Sequence, residues 1–140
     1  MATTVQVTVD CADPHRVAQF WAEALGYVKE SHVDVVRGLL DAGLFGADDT
    51  VEVDGGVQFA EVSACRDPDG VGPRLFFQRV PEGRSVKNRL HLDLHVGPDR
   101  AEAEAERLVA LVATHLWHTD DRGTPCWTMA DVEGNEFCVE

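Results

Sequence analysis

The chain has 140 residues, 44% hydrophobic and 26% charged, with 25 acidic against 12 basic side chains and a formal net charge of −13. That length allows one well-buried domain or two small modules sharing a core, and so negative a field repels nucleic acid and anionic membrane, so neither is an expected partner. No apolar run approaches a bilayer span and "MATTVQVTVD" lacks the basic and apolar regions of a signal peptide, so a cytoplasmic location is expected.

In "VQVTVDC", Val5, Val7, Val9 and Cys11 alternate with Gln6, Thr8 and Asp10, which predicts a half-buried strand. A helix follows in "DPHRVAQFWAEALGY". Asp13 suits its N-cap, Pro14 its first turn and Gly26 a left-handed stop, while Val17, Phe20, Trp21, Ala24 and Leu25 share one stripe. Val33, Val36, Leu39 and Leu40 predict a second short helix ending near Gly43, and the acidic "FGADDTVEVD" reads as solvated surface. "GVQFAEVSAC" and "RLFFQRV" read as strands flanking the turn "RDPDGVGP", and "PEGRSVKN" as a linker.

After the linker the plan starts again. The strand "RLHLDLHV" leads into the helix "PDRAEAEAERLVALVATHL", with Ala101, Ala105, Leu108, Val109 and Val112 on its inner stripe. Weak strand signals follow around "HLWHTDD", and "PCWTMAD", the turn "VEGN" and "EFCVE" close the chain. The turn "DPDG" at 67 to 70 corresponds to "DVEG" at 131 to 134. An internal repeat emerges: strand, helix, two or three strands, twice over.

Strict alternation in "RLHLDLHV" puts Leu90, Leu92, Leu94 and Val96 on one face and His91, Asp93 and His95 on the other. Two imidazoles and a carboxylate in a row fit a metal site, a proton-transfer site or a merely wet sheet face. Neighbours at this spacing start about 7 Å apart, so they meet only by leaning together. An Asp93 that orients His91 or His95, or pairs with Arg89 or Arg79, stands slightly ahead of direct chelation. An Asp-oriented histidine is also a general base near neutral pH.

If the valine and leucine faces pack under the helices, Gln6, Thr8, Asp10, His91, Asp93 and His95 point to the opposite side and line a cleft. Glu136 and Cys138 share a face of the last strand, with Glu136 at the cleft mouth. Cys138 reads as a small buried residue rather than a nucleophile. Most aromatic residues read as core, with Trp127 taken to the pocket rim. The four cysteines form no CxxC pair and no disulfide framework is read from them.

The phrases "VDCADPHRVAQFWAEALGY", "GPRLFFQRVPEGRSVKNRLHLDL" and "DVEGNEFCV" resemble the glyoxalase-like branch of the vicinal oxygen chelate superfamily. That superfamily includes glyoxalase I, extradiol dioxygenases, fosfomycin-resistance enzymes and bleomycin-binding proteins. The resemblance implies an α+β fold of two βαβββ modules, related by a pseudo-twofold and forming an open, cupped mixed sheet around a small-molecule pocket. It implies one glyoxalase-like domain over 1–140: module 1 over about 1–80 with a helical insertion over about 31–50, a linker over about 81–88, and module 2 over about 89–140.

Metal-dependent members take ligands from the first and last strands of each module. Matched by motif, those positions are Gln6, His91, Cys138 and one near Gln78. His91 is the clear match, Gln6 a neutral oxygen ligand, and Cys138 stands in a usual Glu position, where a thiolate favours zinc over magnesium or manganese. The implied cofactor is a divalent metal (Zn, Ni, Fe or Mn) on an incomplete ligand set, so standard glyoxalase I activity is not expected. His91 and Asp93 are the catalytic candidates. Gln6, Thr8, Asp10, Gln78, His95, Glu136 and Trp127 are the candidate ligand contacts. Two functions follow: a metal-assisted lyase or isomerase acting next to a carbonyl, or a non-catalytic protein that sequesters a drug-like, cationic molecule, as the bleomycin-binding members do. A homodimer is the implied assembly.

Overall fold

In the computed structural model, which describes residues 1–120 and 123–140, the first alternating stretch forms strand β1 (Gln6–Cys11) and its successor helix α1 (Pro14–Leu25). The Asp13 carboxylate accepts the His15 and Arg16 N–H groups, and Gly26 ends the helix at φ 67°. Val17, Phe20, Trp21 and Ala24 are buried. The chain divides into two compact units, 1–81 and 82–140.

In the first unit, β1 and α1 are followed by β2 (Val28–Lys29), α2 (Val33–Asp41), the hairpin β3 (Thr50–Val53) and β4 (Gly56–Phe59), then β5 (Val62–Arg66) and β6 (Arg74–Arg79). The main sheet has the order β1-β6-β5-β2, with β1 parallel to β6. α1 packs on β5 and β6. Leu75 and Phe77 of β6 are fully buried on one face with Ser63 and Cys65 of β5, whereas Gln6, Thr8 and Asp10 are exposed on the other. The run "GVQFAEVSAC" is therefore two strands in two different sheets. "TVEV", expected as solvated surface, pairs with "GVQF" because a short hairpin needs only a tight turn, supplied by Asp54 and Gly55, both at positive φ.

The second unit repeats the pattern with β7 (Asp93–Leu94), α3 (Pro98–Ala110), β8 (Thr114–Thr119), β9 (Cys126–Ala130) and β10 (Glu136–Val139). Its order, β7-β10-β9-β8, matches that of the first unit strand for strand, again with the opening strand parallel to the closing one. Each unit is thus a βαβββ module, and the fold class is α+β. The repeated turns are alike in mechanism. Asp67 accepts the N–H groups of Asp69, Val71 and Gly72. Asp131 accepts those of Glu133 and Asn135. In the first of these turns Gly72 leaves room for the Tyr27 side chain, since a Cβ there would lie 2.0 Å from Tyr27 Oη and the ring would have to shift.

Two expectations for the second unit need correction. The opening strand is shorter than "RLHLDLHV": Leu90 is 88% exposed and belongs to no apolar face, while Leu92, Leu94 and Val96 are half-buried. The helix stops at Ala110, leaving Val109 and Val112 exposed. Val112 takes φ 73°, its N–H donates to Val109 O at 3.0 Å and the Ala113 N–H to Leu108 O at 2.9 Å. This is a Schellman stop with valine where α1 has glycine. A β-branched residue is strained in that region and Val112 is 66% exposed. Val112→Gly is therefore expected to stabilise the chain by about 1 kcal/mol in chemical denaturation, and a loss of stability would contradict the strain. Asp121 of "HLWHTDD" lies outside the described residues. Among the described residues no helix is long and apolar enough to cross a membrane.

All four cysteines are free thiols. Burial pushes the Cys65 thiol up to about 12, with the Glu30 charge adding to the effect and Arg74 opposing it. Its ordinary value is 9.0, so below pH 9 both folded and unfolded chains hold the proton. Above that the unfolded chain releases it first and gains stability. Stability is expected to fall above about pH 9, with this one thiol contributing on the order of 1 kcal/mol per pH unit. Cys65→Ala should flatten that part of the slope, and an unchanged slope in urea unfolding at stepped pH would refute the assignment.

Candidate functional site

The polar row predicted on the opening strand of the second module is present and solvent-facing. His91 and Asp93 keep 41% and 39% side-chain exposure, and the His91 Nδ1–H donates to Asp93 Oδ1 at 2.9 Å. A carboxylate only accepts, so this bond puts a proton on Nδ1 and leaves Nε2 as the ring nitrogen not bonded to Asp93. Of the partners open to Asp93, His91 is the one it takes. His95, next in the row, instead forms an ion pair with Glu140 at 3.0 Å.

Parallel pairing of β7 with β10 sets Asp93 directly beside Cys138, and antiparallel pairing of β10 with β9 sets Thr128 on the other side of Cys138. In-register neighbours share a face, so Asp93, Cys138 and Thr128 form one row across three strands. His91, Asp93 and Cys138 each bring one ligand-type atom within 4.8 Å of the other two. Burial pushes the Cys138 thiol up to about 12, and the neighbouring Cys126 adds to it while Thr128 opposes. At neutral pH the sulfur is a thiol, not a nucleophile, and it would lose its proton only to a metal ion. A nitrogen, an oxygen and a sulfur at this separation suit a borderline-soft ion such as Zn²⁺.

Glu136 is committed elsewhere. Its carboxylate is ion-paired with Arg84 and accepts the Asn88 N–H at 3.1 Å. Partial burial works against ionisation, but the Asn88 N–H and Arg84 prevail and hold the carboxyl below its ordinary range. Asn88 also donates to Asn135 at 3.1 Å, so the expected linker "PEGRSVKN" is fastened to the start of β10. Trp127 pairs in register with Val139 rather than Cys138 and stacks on His118 at 4.3 Å. It thus sits on the face opposite the His91 row.

In the first module Gln6, Thr8 and Asp10 lie on the open sheet face, as alternation predicted. Gln78 is opposite Asp10 and donates to it at 2.8 Å. Gln6 accepts from Arg74 at 2.7 Å, and the same guanidinium donates twice to Glu30, at 2.8 and 2.6 Å. The Arg74 bonds hold the Glu30 carboxyl below its ordinary range. Arg74 also lies over the Phe76 ring at 5.3 Å. Sequence reasoning missed Arg74, Glu30 and Thr128. The alternation of Arg74, Phe76 and Gln78 in "RLFFQR" carried the signal for the first. Glu30 and Thr128 had none, because only strand pairing brings them in.

A family profile described as glyoxalase-like domain matches residues 6–140. By sequence, no curated protein matches the chain. Among solved structures it is similar to the fosfomycin resistance protein FosX from Mesorhizobium loti, with a TM-score of 0.66 and 10% identity over 100% of this chain and 91% of that one. A mutant FosX from Listeria monocytogenes, complexed with Mn(II) and dihydroxypropylphosphonic acid, gives a TM-score of 0.63 and 8% identity over 100% and 90% of the two chains. A glyoxalase/bleomycin resistance protein/dioxygenase family enzyme from Burkholderia phytofirmans gives 0.62 and 11% over 96% and 94%. Likenesses at this level of identity establish the fold.

Proposed function

The chain belongs to the glyoxalase-like domain family of the vicinal oxygen chelate superfamily, and on that premise we propose that it is a metal-assisted enzyme of lyase or isomerase type, acting next to a carbonyl of a small organic substrate. The observation that carries this reading is the His91–Asp93 pair set beside Cys138 on an open sheet face. A bare wet face would have no need to fix an imidazole tautomer against a thiol.

His91 through Nε2 and Cys138 through Sγ would hold the ion, with Asp93 fixing the ring. A divalent ion there supplies Lewis acidity toward a substrate oxygen. The second oxygen of Asp93 has no partner among the described residues, and as a half-exposed carboxylate it takes the proton released beside the substrate carbonyl. With one sulfur and no glutamate in the trio, Zn²⁺ is the preferred ion and glyoxalase I chemistry on a hemithioacetal is not part of the proposal. A homodimer and a cytoplasmic location belong to the same proposal.

The test is equilibrium dialysis of the purified protein against Zn²⁺ and Mn²⁺, followed by elemental analysis, with about one equivalent of zinc expected. A protein that stays metal-free, yet gains thermal stability with a cationic drug-like compound, would overturn the enzyme reading. It would establish sequestration, which the net charge of −13 suits.

A further inference from the structure

The first module contains a cavity of about 440 Å³ framed by the start of α1, Lys29 of β2, the inserted hairpin and the end of β6. It lies on the helix side of the sheet. Lys29 is paired with the buried Cys65, and Arg79 alternates with the buried Leu75 and Phe77, so both project to the face opposite Gln6, Thr8 and Asp10. The cavity is therefore separate from the open polar face of that sheet.

Its charge runs against that of the chain as a whole. Three cationic side chains line it: Arg16, Lys29 and Arg79. Two carboxylates are also present, and both are engaged. Asp13 accepts the His15 and Arg16 N–H groups as the cap of α1, and Asp54 holds Lys29 at 3.2 Å. Arg79 has only a loose, exposed partner in Glu61 at 3.5 Å, and no acidic side chain among the described residues pairs with the Arg16 guanidinium. Val51 and Val53, on one face of β3 by alternation, give the cavity an apolar wall. The hairpin is tied in place at both ends, by the Lys29–Asp54 pair and by His15 Nε2–H donating to Phe59 O at 2.8 Å.

We propose that this cavity is a second binding site, for a small organic oxyanion with a short aliphatic part. A guanidinium with uncommitted N–H groups recognises carboxylate or phosphate oxygens bidentately, Arg79 adds charge, and the valines accept the aliphatic end. Since Asp13 already caps the helix, the recognition rests on the side chains and not on the helix terminus.

The test is two-dimensional ¹H–¹⁵N NMR of the full chain, titrated separately with inorganic phosphate, butyl phosphate, butyrate and butylammonium. Saturable shifts at the amides of residues 16, 29, 53 and 79 are expected with at least one of the two butyl anions, more tightly than with inorganic phosphate, and the better of the pair identifies the anionic group. Arg16→Gln, which keeps a good helix former, should weaken binding about tenfold, the scale of one charge-assisted contact. His91→Ala should leave these shifts unchanged, which separates this site from the proposed metal centre. The proposal is overturned if neither butyl anion gives a saturable shift, if butylammonium binds at the same amides, or if Arg16→Gln binds as the parent does.

Discussion

His91→Ala is expected to lower zinc affinity by at least about 100-fold, because it removes one of the two side chains proposed to hold the ion, His91 and Cys138. Asp93→Asn should cost less, about 10-fold to 100-fold. It keeps the shape but offers His91 Nδ1–H a weaker acceptor and removes the charge that favours a cation. His95→Ala is the control: its ring is engaged with Glu140 and the side chain is 76% exposed, so affinity should hold. Competition titration against a chromophoric chelator reads all three. A His91→Ala protein that still takes a full equivalent of zinc at parental affinity would remove His91 from the centre, and the proposed chemistry with it.

Asp131→Ala is expected to destabilise the fold by about 3 kcal/mol, lowering Tm by about 10 °C. Asp131 is 3% exposed. It accepts the Glu133 and Asn135 N–H groups at 2.9 Å each, and both its oxygens accept from Asn135 Nδ2. Alanine leaves those donors without their acceptor where little water can replace it. The loss spreads further, since Asn135 in turn accepts from Asn88, which holds the linker to Glu136. Asp131→Asn keeps one acceptor oxygen and should lose about half as much. Thermal and urea unfolding decide the point, and a change below about 1 kcal/mol for alanine would mean that the turn is held by something else.

The same turn shows how sequence and structure divide the explanation. "DPDG" and "DVEG" are legible as corresponding turns, and each aspartate proves to cap its own loop. Alternation along the last strand had suggested Glu136 at the mouth of a cleft, and the family motif had pointed to Cys138. In the fold that glutamate fastens the linker, and its neighbour two positions on, Cys138, is the one that meets His91 and Asp93. Period-two alternation correctly assigned faces in β1 and β7, because it depends only on local backbone geometry. The apolar pattern overran at Leu90 in the strand and at Val112 on the helical stripe, where the strand begins later and the helix stops earlier. A hydrophobic pattern marks which residues can be buried, not where hydrogen bonding ends.

By itself, the sequence determined a repeated plan of strand, helix and two or three strands, the caps of α1, the inward and outward faces of the strands, and the polar row at His91 and Asp93. All of these follow from neighbours along the chain, through side-chain period and turn chemistry. Only the tertiary structure decided which distant residues meet. Parallel pairing of β7 with β10 brings Cys138 to Asp93, pairing of β1 with β6 brings Arg74 to Gln6, and the inserted hairpin frames a cavity beside Arg16. Strand order and register make those meetings, and neither is written in any local stretch, because a strand can pair with any partner whose buried face matches its own.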